Sequence, residues 1–304
     1  MRRSLPLSPF DALLLLMVII WGSNYSVVKA ALREIPPQAF NAARMTVASA
    51  VFAAALAWTG LPRLPKRDWI RIAAVGTIGH FVYQLFFISG IARTSASNSS
   101  LIIGCSPVAV SIASALAGHE RIAPAQWAGI LISLAGVYLV VGLGAGFGGA
   151  SLAGDLLTMG AVACWAVYTV GSRTLLTRYS PLTVTGLTML CGTTLLVPAS
   201  LPAMSRVAWT SVPAWAWVAL VLSALLAIDL AYLIWYTSVQ RIGNVRTSAY
   251  SNFIPLVAMA VAIVALGESL TVLKAAGAAA ILGGVAITRT AAKSRAMADP
   301  PGEE

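Results

Sequence analysis

Two ionisable side chains stand deep inside apolar sequence: His80 in "GHFVYQLFF" and Asp229 in "LLAIDLAYLIWY". An offset of 148 residues carries His80 to Ile228, immediately before Asp229. Both groups can bind or release a proton, and the carboxylate of Asp229 can also hold an ammonium group. Around them the chain places polar and aromatic residues at helical spacing. Trp21, Asn24, Tyr25 and Val28 fall at i, i+3, i+4 and i+7, and Trp165, Tyr168, Thr169 and Ser172 form a second such stripe. His80, Tyr83, Gln84 and Phe87 form a third. Polar groups at membrane depth face a bundle interior or a watery cavity, because lipid offers them no partner. The plainer alternative is interhelical hydrogen bonding with aromatic packing.

The composition says what surrounds these groups. Of 304 residues, 59% are hydrophobic and 10% charged, and mean hydropathy is +0.84. Soluble proteins carry about 25% charged residues, so this is an integral membrane protein. The net charge of +10 comes from short basic clusters between apolar runs, "LPRLPKRDWIR" and "RTAAKSR" among them. The positive-inside rule produces that distribution, which argues against nucleic acid as a partner. Cys105, Cys164 and Cys191 lie in apolar runs without metal-ligand or disulfide spacing, and no metal or cofactor is expected. Arg2 and Arg3 precede the first apolar run without a following small-residue cleavage pattern, so that run reads as an uncleaved span.

A crossing helix needs about 20 apolar residues. Ten segments qualify: 10–32, 38–58, 69–91, 96–117, 124–143, 154–176, 182–201, 214–238, 246–266 and 272–290. With the N-terminus inside, fourteen Lys and Arg fall on the inner side, five on the outer side, and Arg44 lies within a span. Both termini are therefore expected to be cytoplasmic.

Self-comparison gives the strongest functional signal. At offset 144, Trp21 meets Trp165, Lys29 meets Arg173, Pro37 meets Pro181 and Met45 meets Met189. At offset 148, Arg93 meets Arg241, Pro107 meets Pro255, Glu120 meets Glu268, Gly129 meets Gly277 and Gly136 meets Gly284. The expected fold is all-α, ten transmembrane helices in two inverted five-helix repeats around a central cavity. The repeats occupy 1–143 and 154–290, joined by a Gly-rich linker at 144–153 and followed by a cytoplasmic tail at 291–304. An odd span number per repeat inverts the second copy, as in many secondary transporters whose site lies between the repeats near the midplane.

The segments "WGSNYSVVKAAL", "PPQAFNAARMTVAS" and "RTSASNSSLIIGCSPVAVSIASALAGHERI" resemble the drug/metabolite transporter superfamily in its EamA-type branch. So do their second-half counterparts "CWAVYTVGSRTLL" and "RIGNVRTSAYSNFIPLVAMAVAIVALGESL". The resemblance implies alternating-access export of small metabolites from a bacterial inner membrane. The group that handles aromatic and other amino acids, and also methyl viologen, is the nearest in character. An acidic residue at Asp229 departs from the family's more usual small or hydroxylated residue.

The candidate cavity residues are therefore Trp21, Asn24, Tyr25, His80, Tyr83, Gln84, Asn98, Trp165, Tyr168, Asp229, Tyr232, Tyr250 and Asn252. Aromatic walls suit large apolar side chains and also organic cations. His80 and Asp229 are candidates for coupling, with the proton as a candidate coupling ion. Arg44 is expected to snorkel to the outer interface; the other reading has it meet a substrate carboxylate. Pro107 and Pro255 each remove a backbone donor, which suits either a simple kink or a gating bend. "GAGFGG" at 144–149 follows no strand and reads as linker, so no nucleotide-binding loop is assigned and ATP is not expected to drive the process. A membrane-embedded enzyme is the rival class. The sequence carries only His80 and His119 as histidines, and the expected topology sets them at different depths.

Overall fold

The computed structural model describes residues 9–118, 123–140, 150–242 and 250–298. Among the described residues every regular element is helical. The apolar runs become α1 (Pro9–Ala31), α2 (Pro37–Thr59), α3 (Lys66–Arg93) and α4 (Ala96–Leu116). After α5 (Pro124–Tyr138) come α6 (Ala150–Leu176) and α7 (Pro181–Met204). α8 is built of Ala214–Leu222, Ser223–Leu230 and Ala231–Ile242. α9 (Ile254–Leu266) and α10 (Val272–Ala298) complete the described helices. Seven of these are long and apolar enough to cross a membrane, while α9 and the apolar part of α10, Val272–Thr288, are shorter. Leu13, Leu15, Leu16, Ile19, Val218, Leu222 and Leu225 lie exposed, as on a surface that meets lipid.

Two boundaries differ from expectation. α6 begins at Ala150, inside the segment expected as linker, and α10 continues to Ala298, into the expected tail. Residues 144–149 of the linker, together with His119 and Glu120, lie outside the described residues.

Local chemistry fixes the helix ends. Pro37, Pro124, Pro181 and Pro255 sit in first turns, where the missing N–H costs nothing. Ser95 and Ser180 cap α4 and α7 by accepting the main-chain N–H of Asn98 and Thr183, at 3.0 and 3.2 Å. Gly267 closes α9 in the left-handed region, φ 68°.

α3 and α8 each contain a π-helical stretch, Thr77–Val82 and Ser223–Leu230. The offset of 148 lays the first upon residues 225–230 of the second. α4 breaks at Cys105 ahead of Pro107, and the chain turns at residues 252–253 ahead of Pro255. The Cys105 N–H bonds Ile102 O and the Phe253 N–H bonds Tyr250 O, both at 3.0 Å.

α5 packs on α10, α3 on α6, α2 on α7 and α1 on α9. The α5–α10 seam is backbone against backbone. A Cβ on Gly129 would strike Gly284 O, and one on Gly136 would strike Gly277 O. Ser133 Oγ donates to Ile281 O at 3.2 Å across the same seam, and Ser49 Oγ donates to Thr193 Oγ1 at 2.8 Å between α2 and α7. Both hydrogen bonds join positions one repeat offset apart, 148 and 144 residues.

α3 is fastened at each end. At its start Asp68 accepts the Tyr179 hydroxyl at 2.7 Å and pairs with Arg178 at 3.4 Å. At its other end, Lys29 Nζ donates to the carbonyls of Ile91, Ala92 and Thr94 at 2.8, 3.1 and 2.6 Å.

Candidate functional site

Where a central cavity is expected, the structure has aromatic rings in mutual contact. Tyr232 of α8 sits at the middle, with Trp21 of α1 at 5.8 Å, Trp165 of α6 at 6.0 Å and His80 of α3 at 6.3 Å between centroids. Trp165 also meets Tyr83 and Tyr168, each at 5.8 Å, and His80 lies edge-on to Tyr168 at 5.1 Å. Tyr83 stacks on Phe87 at 5.8 Å with 7° between planes, and Tyr25 packs against the same ring at 6.0 Å. Four helices thus converge on one box of rings. The described open grooves lie elsewhere. One, of about 490 Å³, runs between α2 and α7 along Thr46, Ser49, Thr193 and Pro198.

The fold makes room for these rings by omitting side chains beside them. Gly79 lies directly under the Tyr168 ring, and Gly192 of α7 faces His80. The π-helical turn of α8 also leaves a carbonyl available for a side chain. Trp21 Nε1 donates to Ala227 O at 2.8 Å, which fixes the indole orientation. His80 is 1% exposed, and neither ring nitrogen has a hydrogen-bond partner. Asp229 is 5% exposed, and neither carboxylate oxygen has one. No ion pair or hydrogen bond joins the two, so their matched positions do not make them a contacting pair.

Beside the box stands a polar cluster centred on Arg44. The guanidinium is 2% exposed, so Arg44 does not snorkel to the interface. Its Nη2 donates to Asn41 Oδ1 at 2.7 Å and Gln84 Oε1 at 3.1 Å, and its Nη1 donates to Ser223 Oγ at 3.2 Å. Ser223 passes its own proton to Asn24 Oδ1 at 2.6 Å, and Asn41 Nδ2 reaches Gln84 O at 3.4 Å. The rings of Phe40 and Phe87 lie 5.8 and 5.9 Å from the guanidinium carbon. These acceptors hold the cation in place inside the bundle, where side-chain length alone suggests an escape to water.

Asn98, Tyr250 and Asn252 lie outside both the box and the Arg44 cluster. Asn98 Nδ2 donates to Asp155 Oδ2 at 3.4 Å, and Asp155 Oδ1 accepts the Thr94 hydroxyl at 2.5 Å. Tyr250 is half-buried and borders the Leu14, Met17 and Val18 cluster that also touches Trp21. Asn252 lies in the turn before α9. Pro107 follows the break in α4 and Pro255 follows the turn before α9, and Pro255 packs against Gly104 of the opposite half.

The structure adds groups that were not among the candidate cavity residues. Phe87 bridges Arg44 to the rings, and Asn41 and Ser223 hold the guanidinium. Glu268 accepts the N–H groups of Ala96 and Ser97 at 2.7 and 3.2 Å, satisfying the first turn of α4. The signals were in the sequence: Glu268 and Lys29 each have a matched charge in the other half.

Along most of its length the chain is similar to known proteins. A probable terminal-alkyne amino-acid exporter of Streptantibioticus cattleyicolor is 30% identical, over 95% of this chain and 96% of that one. The aromatic amino acid exporter YddG of Ancylobacter novellus is 27% identical, over 96% and 99%. An uncharacterized transporter of Archaeoglobus fulgidus is 29% identical, over 91% and 96%. A solved structure, described only as the crystal structure of a protein, matches with TM-score 0.67 at 25% identity, over 93% of this chain and 98% of its own. The profile of the EamA-like transporter family matches twice, at residues 9–142 and 152–290, and the chain belongs to that family.

Proposed function

We propose that the protein is a secondary transporter that exports amino acids, aromatic and other neutral ones, or related small metabolites across a bacterial inner membrane. The observation that carries this reading is the aromatic box. It is assembled from α1 and α3 of the first half and α6 and α8 of the second, with Tyr232 touching side chains of both. Each half contributes its first and third helix, as two inverted five-helix repeats would.

Three further observations support the inverted arrangement. The family profile matches twice, the π-helical stretches coincide at offset 148, and repeat-related residues touch at Ser49–Thr193 and Ser133–Ile281. Contact between equivalent positions is what a twofold relation places on its axis. Alternating access then follows from rocking one half against the other around the box. In this conformation α3 is tied at both ends.

Within the box, Trp21, Tyr25, Tyr83, Trp165, Tyr168 and Tyr232 would embrace the substrate body, with Asn24, Gln84 and His80 at its edges. Asp229 would hold the substrate ammonium or take up a proton during the cycle. The breaks at Pro107 and Pro255 would let α4 and α9 bend. Both termini would lie in the cytoplasm. Export of a different solute, a drug or a sugar-type metabolite, is the second reading, which the aromatic walls favour for flat organic cations.

Purified protein in liposomes, assayed for counterflow of an amino-acid panel with and without a proton gradient, tests the function. Saturable counterflow of aromatic amino acids is expected. Failure to move any amino acid would remove that substrate class.

A further inference from the structure

We propose that Arg44 is the carboxylate receptor of the transport site. The substrate is then a small carboxylate carrying an apolar or aromatic body rather than an organic cation. This rests on the transport reading above and sharpens its substrate.

The argument begins with charge. Arg44 is 2% exposed, yet its acceptors are an asparagine, a glutamine and a serine, all neutral. Among the described residues the ion pairs are those of Asp68 with Arg71 and Arg178, at the start of α3. A guanidinium taken out of water without a counter-charge is expensive, and neutral dipoles offset only part of that cost. Asp229, on the same π-helical stretch as Ser223, does not supply the missing charge, since its oxygens have no partner. Nε of Arg44 is also unpartnered. The cation is therefore oriented but not neutralised.

The second point is geometry. Two of the acceptors are themselves constrained: Ser223 Oγ donates to Asn24 Oδ1, and Asn41 Nδ2 donates to the main-chain carbonyl of Gln84. Phe40 and Phe87 lie close on either flank. A planar donor held this way favours a planar two-oxygen anion, because the guanidinium fork matches carboxylate spacing. Phe87 then leads to Tyr83, Tyr25 and Trp165. A ligand with its carboxylate on Arg44 would lay its body among those rings. An organic cation in the same place would meet a like charge in low dielectric.

The test uses three probes of similar size. These are 3-phenylpropionate (carboxylate alone), 2-phenylethylamine (ammonium alone) and methyl viologen. In liposomes carrying the wild-type protein, each competes against phenylalanine counterflow. In detergent, each is titrated against tryptophan fluorescence, which reads binding whether or not transport occurs. The expected result is that 3-phenylpropionate binds and competes, while the two cations need at least about 30-fold higher concentration. The Arg44→Gln variant should weaken 3-phenylpropionate by at least about 30-fold and lose the discrimination, while Arg44→Lys keeps the preference at lower affinity. Should Arg44→Gln fail to fold, the wild-type series and Arg44→Lys still decide. Equal or better binding of either cation, or no binding of 3-phenylpropionate in detergent, overturns the inference. Binding in that order without counterflow would sink the transport reading and leave this one standing.

Discussion

At the scale of single residues, the box makes unequal demands on its members. Trp165 touches Tyr83, Tyr168 and Tyr232, so Trp165→Ala should raise the half-saturating concentration of aromatic substrates by roughly 10-fold, as loss of aromatic contacts worth about 1 kcal/mol or more implies. Trp58, 92% exposed, is the matched control, and Trp58→Ala should leave counterflow unchanged. Asp229→Asn should abolish stimulation of transport by an imposed proton gradient while exchange without a gradient continues. Unchanged gradient response would remove Asp229 from coupling. The residue types of the box were legible in the sequence, because helical spacing selected Trp21, Trp165 and Tyr168 and the repeat paired Trp21 with Trp165. Arg44 was misplaced because chain length and depth allow snorkelling, whereas its true position is decided by Asn41, Gln84 and Ser223 from three helices. His80 and Asp229 looked like partners, but Asp229 lies one position past the equivalent of His80. One residue is about 100° of rotation on a helix, enough to send the side chains in different directions.

At the scale of elements, the glycine seam between α5 and α10 yields a sharp comparison. Gly284→Leu should lower the midpoint of thermal unfolding by several degrees, since a side chain there meets Gly129 O and Ser133, and overpacking costs about 1–3 kcal/mol. Its neighbour Gly283 has open space, and Gly283→Ala should be neutral or stabilising by a few tenths of a kcal/mol or more through helix propensity. A fluorescence melt of both variants in one detergent makes the comparison. The all-helical architecture and the order of the apolar helices were readable from run length and punctuation, and small residues at offset 148 announced the seam. The π-helical stretches had no such sign. A one-residue widening leaves hydropathy unchanged and depends on neighbours that seat the released carbonyl, as Trp21 does for Ala227.

At the scale of the whole molecule, the proposed orientation can be read with thiol labels. A cysteine replacing Arg33, exposed after α1, should react with an impermeant reagent in intact cells. One replacing Arg63, exposed after α2, should react only after permeabilisation. The reverse pattern would invert the topology. The α5–α10 seam reaches further. Gly129 faces Gly284 while Gly136 faces Gly277, so each half offers the same patch to the other, read in opposite directions. Such a patch is self-complementary: a surface that fits its own copy needs no second surface to evolve alongside it. The two halves, made as separate polypeptides cut within residues 144–149, should therefore find each other in one membrane and restore counterflow. On the proposed inverted arrangement, one gene product would carry the geometry of a homodimer of upside-down partners.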